Sequence, residues 1–227
     1  MTTSAPVPAL DRDLIARLRF DVIAASWTTD TLETLLSDGA LSALMRDSRL
    51  PALVELAGVT DPAATLTRFF VLGQPERASA LDAALLTLGA CGLGSLGLAA
   101  TIDEAEAASA LVMPRAGGAP KREPKEECEE ASSPKAPSLP TMRDPDEDAP
   151  EPEVEADPWM RALFDLRPHA ASLPGGDHEW WVASDLGEVQ TGKPLADDHV
   201  LGIGGATLTL LEMTVRERVD SALDVGC

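Results

Sequence analysis

The stretch Ser221-Ala222-Leu223-Asp224-Val225-Gly226-Cys227 decides how the carboxyl half is read. Four apolar or small residues around an acid, followed by glycine, have the pattern of a short buried strand that ends in a tight turn. Working back from it, Ala206–Met213 reads as a helix and Gly202–Gly205 as the flexible turn that leads into it. Glu179–Ser184 is rich in β-formers and reads as a strand, and Trp159–Leu166 has a strand-like pattern before Arg167-Pro168. Strand, helix, strand and then glycine is how an α/β unit begins.

The amino-terminal hundred residues read as short helices. Leu14, Ile15, Leu18, Val22 and Ile23 lie on one helical face within Leu10–Ala25. Thr29 or Asp30 can cap a second helix holding Leu32, Leu35 and Leu36. A third runs from about Ser37 to Met45 and a fourth from about Leu50 to Leu56. Asp61-Pro62 is a start signal for a fifth, because the carboxylate can accept from orphan amides while proline fits the first turn. That helix holds Phe69 and Phe70 and stops at Gly73. A last helix is expected over Glu76–Leu88, ending in the glycine-rich Gly89–Gly94.

Between these halves the composition changes. Residues 114–157 hold nine of the 18 prolines and thirteen acids against six bases. So few large apolar residues cannot offset the entropy of ordering, and the tract reads as a disordered acidic linker. A docking tail for a basic partner is the functional alternative. The expected organisation is a helical domain over 1–102, a linker over 103–157 that can open with a helix, and a β-containing segment over 158–227.

The net charge of −20 disfavours unassisted binding to duplex nucleic acid. Cys91, Cys128 and Cys227 form no CxxC pair; Cys91 reads as a small buried hydrophobe and Cys128 as a linker thiol. No secretory leader pattern opens the chain. No run approaches the roughly 20 apolar residues of a membrane span. The expectation is a soluble cytoplasmic protein without membrane or metal partner. His169, His178 and His199 read as separate loop residues without metal-ligand spacing. Trp180 and Trp181 alternate across a strand, so one belongs to the core and the other packs elsewhere or offers a platform for a base.

Two runs carry a resemblance. Trp180-Trp181-Val182-Ala183-Ser184-Asp185-Leu186-Gly187-Glu188 is the first, and Asp198-His199-Val200-Leu201-Gly202-Ile203-Gly204-Gly205-Ala206-Thr207-Leu208-Thr209-Leu210 is the second. With Arg161–Pro168, they resemble bacterial class I S-adenosylmethionine-dependent methyltransferases. Those enzymes join a winged-helix-like amino-terminal domain to a small-methyltransferase domain similar to those of release-factor glutamine and rRNA guanine-N2 methyltransferases. The resemblance implies an α+β chain: a helical winged-helix-like domain, the acidic linker, then the start of a Rossmann-like α/β domain. It implies that Asp224 and Gly226 open the cofactor loop and that Gly205 and Thr207 pack near S-adenosylmethionine. The acceptor would be a nitrogen of RNA or protein. The Asn-Pro-Pro-Tyr-type substrate motif of that family has no counterpart here, so no residue takes a catalytic role. The resemblance therefore implies the amino-terminal portion of an enzyme, with 1–227 by itself neither binding the cofactor nor transferring methyl groups. The alternative is a non-catalytic interaction module with an acidic tail.

Overall fold

A computed structural model describes residues 7–46, 48–111, 157–173, 176–214, 217–221 and 223. It is a mixed α+β structure with two small antiparallel sheets. Helices α1 (Arg12–Ala24), α2 (Thr29–Leu35), α3 (Asp38–Leu44), α4 (Leu50–Glu55) and α5 (Pro62–Leu66) follow one another, and α5 continues as a wide π-turn over Thr67–Val71. Polar caps start most of them. Asp11 accepts from the amides of Asp13 and Leu14, Ser37 from Ala40, and Asp61 from Ala63 and Ala64. The second helix is capped by Thr28 rather than Thr29 or Asp30. Gly73, at φ +63°, turns the chain after the π-turn.

The helix expected over 76–88 is shorter, preceded by a strand and followed by a further helix that starts only at Gly89. Glu76–Arg77 forms β1, Ala78–Ala84 forms α6 and Gly89–Ser95 forms α7. The first helix already ends at Leu85 (φ −125°, ψ 73°), Gly89 at φ +66° opens the second, and the Asp82 carboxylate accepts from the Ala90 amide across the break. The glycine-rich stretch thus starts a helix instead of ending one. On α7, Cys91 is exposed, contrary to its reading as a buried hydrophobe; that helix buries Ala90, Gly92 and Leu93 instead. Strand β2 (Ala99–Ile102) and helix α8 (Glu104–Leu111) follow, the latter within residues the sequence places in the linker. Residues 114–156, which hold Cys128 and nearly all of the acidic tract, lie outside the described residues.

From residue 157 the chain returns to the same compact unit. Strand β3 (Trp159–Ala162) lies between β1 and β2, antiparallel to both, with Met160 opposite Glu76 and Thr101. Asp157 accepts from the Ser79 amide and hydroxyl, and the Pro158 carbonyl from the Ala78 amide. The segment expected to lead into a separate domain therefore supplies the middle strand of the amino-terminal sheet. Residue Leu163 separates β3 from β4 (Phe164–Leu173), which pairs with β5 (Gly176–Asp185) as an antiparallel hairpin. Phe164, Leu166, Met160 and Ala162 belong to the same core as Trp27, Phe69, Phe70 and Leu81. Trp27 is the hub: its indole donates to Thr67 Oγ1, its ring stacks on Phe70, and its carbonyl accepts from the Trp181 indole.

After β5 come α9 (Glu188–Thr191) and α10 (Gly205–Met213). No parallel strand pair occurs among the described residues. The strand expected at Ser221–Val225 is not formed at its described residues, and Leu223 is 86% exposed. No single described helix is long and apolar enough to cross a membrane.

Candidate functional site

The hairpin register fixes which side chains share a face. Opposite pairs Asp165–Ser184, Arg167–Val182 and His169–Trp180 lie on one side; Leu166–Ala183 and Pro168–Trp181 lie on the other. The second side joins the core through Leu166 and Trp181. The first, Trp180 excepted, lines a cleft of about 540 Å3 closed by α9 and by the strap 199–204.

At the floor of this cleft Asp165 is buried. Arg167 grips it with two nitrogens, Nε at 2.7 Å from Oδ1 and Nη2 at 2.6 Å from Oδ2. A two-pronged pair of this kind neutralises both charges while fixing both side chains. The Gln190 amide nitrogen donates to Asp165 Oδ2 at 2.7 Å and to the Val71 carbonyl at 3.1 Å, and its oxygen accepts from the Gly187 amide. Short helix α9 is thereby fastened to both the hairpin and the π-turn. Gly73 makes the fastening possible, since a Cβ there would fall 2.7 Å from Gln190 Cβ.

The strap is fastened at its other side. The Asp185 amide donates to the Val200 carbonyl and the Val200 amide to Asp185 Oδ2 at 2.8 Å. His199 Nδ1 stands 4.0 Å from the same carboxylate. Gly202 passes so close to Ser184 that a Cβ would meet its hydroxyl at 2.9 Å. The two resembling runs, 180–188 and 198–210, are thus in direct contact around one cleft.

Burial is the main cause that lowers the His169 pKa from its ordinary value; the Arg167 charge adds to it and Asp165 opposes it. His169 and His178 lie within β4 and β5, not in loops, and the ring of His178 stacks on Trp180. No cluster of metal-ligating side chains occurs among the described residues.

Of the residues expected at the cofactor, Gly205 and Thr207 occupy the exposed first turn of α10. A Cβ built on Gly204 or Gly205 meets nothing within 4 Å, so a ligand can approach that backbone. Gly204, the N-cap, provides no side-chain cap. Asp224 and Gly226 lie outside the described residues. The sequence reading missed Asp165, Arg167 and Gln190. An Asp-x-Arg pair in a strand, whose two side chains share a face, was the available signal.

A family model described as a domain of unknown function (DUF7059) matches residues 24–111. No curated protein and no solved structure matches the chain.

Proposed function

We propose that this chain is the substrate-recognising portion of an S-adenosylmethionine-dependent methyltransferase, together with the residues that lead into its cofactor loop. The observation that carries the reading is the meeting of the two resembling runs at one cleft, through Asp185, Val200, Ser184 and Gly202. Nine residues, 189–197, lie between the runs, and a cofactor site built from both needs them side by side, as they are.

A winged-helix-like reading of the amino-terminal part has support of its own. The order is helix, β1, α6, α7, β2, α8, β3, with β3 between β1 and β2. In such a layout the connection between the last two strands is the wing, and the acidic tract enters there. Under the same proposal the segment from 221 onward would open a Rossmann-like sheet.

When bound, S-adenosylmethionine supplies an electrophilic methyl group for direct displacement by a substrate nitrogen. This chain contributes positioning. The bare backbone at Gly204 and Gly205 and the hydroxyl of Thr207 would border the cofactor, with Asp224 and Gly226 opening its loop. The acceptor is a nitrogen of RNA or protein. The 227 residues alone are inactive under this reading.

A non-catalytic interaction module is the second reading, favoured by the exposed apolar side chains Phe20 and Ile23 on α1. Reading the coding DNA after codon 227 separates them. Glycines followed further on by Asn-Pro-Pro-Tyr support the methyltransferase; an unrelated continuation supports the module.

A further inference from the structure

We infer that the open face of the β4–β5 hairpin, where it continues out of the cleft, is a docking surface for a basic polypeptide segment. Naming that segment as the methyl acceptor rests on the methyltransferase reading; the surface itself rests on geometry and charge.

The register runs Ser184, Val182, Trp180 and His178 outward along one side of β5. The inner end of this row is roofed by α9 and the strap, and the outer end borders a second recess lined by Ile15, Leu18 and Arg19 of α1. Trp180 is 42% exposed, and His178 stacks on it with ring centres 5.8 Å apart and planes 15° from parallel. An exposed indole held by a stacked neighbour attracts a passing ammonium or guanidinium to its open π-face, and in the recess that Trp180 and His178 line, the carboxylate of Glu179 stands with the single base Arg19.

Charge selects the same partner. Arg167 is consumed by Asp165. Neither Asp185 nor Glu188, both lining the cleft, has an Arg or Lys within ion-pair distance among the described residues. Burial disfavours the protonated form of His169, so it brings no compensating charge at neutral pH. Outside residues 114–157 the chain holds 12 bases against 25 acids. Of those bases, Arg68, Arg77 and Arg161 are paired with Glu76, Glu104 and Glu106. The net charge of the chain outside residues 114–157 is therefore negative, which gathers cationic segments and repels phosphate. Nucleic acid is disfavoured on a second count. The α6–α7 span Ala78–Ser95, the pair before the antiparallel strands, contains no Lys or Arg at all.

The test is fluorescence anisotropy with residues 1–227 and three probes: a short labelled peptide of Lys, Arg, Gly and Ser, its Glu-substituted counterpart, and a single-stranded RNA oligonucleotide. The basic peptide is expected to bind, more weakly as salt rises, and the other two probes not to bind. Trp180→Ala should weaken binding about two- to fivefold, and Trp180→Phe less. Glu188→Gln should weaken it too, whereas Glu33→Gln on α2 should leave it unchanged. Circular dichroism confirms that each variant is folded. Absence of peptide binding, tighter binding of RNA, or equal weakening by Trp180→Ala and Glu33→Gln would overturn the proposal. None of these measurements needs the cofactor. A peptide that binds while the coding sequence proves unrelated to methyltransferases would sink the enzyme reading and leave the surface standing.

Discussion

Truncating Phe164 to alanine tests whether the chain after residue 157 completes the amino-terminal core or merely leans on it. Phe164 is 6% exposed and sits in one apolar cluster with Trp27, Phe70 and Leu81. Its position right after β3 leaves it little room to move: the Leu163 amide donates to the Leu98 carbonyl at 2.9 Å, and β4 pairing begins at Phe164 itself. The cavity therefore cannot collapse easily. A phenylalanine-to-alanine change in such a setting costs about 3–5 kcal/mol. A domain of this size has about 5–15 kcal/mol in total. Urea unfolding followed both by tryptophan fluorescence and by circular dichroism should show one cooperative transition, shifted to lower urea by that amount. Leu201→Ala, on the exposed side of the strap, should change stability by less than about 0.5 kcal/mol. A loss below about 1 kcal/mol for Phe164→Ala, or a helical signal that unfolds separately from the fluorescence, would refute the single-core account.

Further outcomes follow from individual contacts. Asp21 is 2% exposed and accepts from the amides of Thr87 and Leu88 and from the Thr87 hydroxyl, so Asp21→Ala should cost about 1–3 kcal/mol, chiefly by orphaning the buried Leu88 amide, measured by thermal melting. His169 has a folded pKa below its unfolded value, so the unfolded chain binds more protons around pH 6; stability should be full above the ordinary histidine pKa and fall as pH drops through it. Melting temperatures of His169→Gln should lack that share of the slope, and an unchanged slope would remove His169 as its source. Replacing residues 112–156 with a short Gly-Ser linker should leave the melting temperature nearly unchanged, because Ile102 and Trp159 are directly paired and Asp157 is held by Ser79. A drop of more than a few degrees would show that the tract contributes to the fold.

Local signals were legible in the sequence wherever they act within a few residues. Ser37 and Asp61-Pro62 marked helix starts correctly because a cap is satisfied by amides two or three positions away. Glu179–Ser184 announced a strand through its composition. Strand β1 was not legible: two residues qualify as a strand only through Met160 and Trp159, some eighty positions later. For the same reason β3 was assigned away from its sheet, with a composition change intervening between partners. Thr28 was passed over as a cap because three candidate cap residues stand in a row, and only geometry chooses among them. At the site, Gly205 was quoted for its glycine context, and the Asp165–Arg167 spacing was there to be read, but the part of Gln190 was invisible, because it reaches Asp165 only after α9 has folded against Gly73.

The central claim is that the cleft between the hairpin and the strap belongs to a methyltransferase. Calorimetric titration of S-adenosylmethionine tests it, using the chain extended through whatever reading frame follows Cys227 and, in parallel, residues 1–227. Binding by the extended chain, abolished by Gly205→Val and absent from residues 1–227, is the expected result. An extended chain that takes up no cofactor, or a Gly205→Val variant that binds as well as its parent, would contradict it.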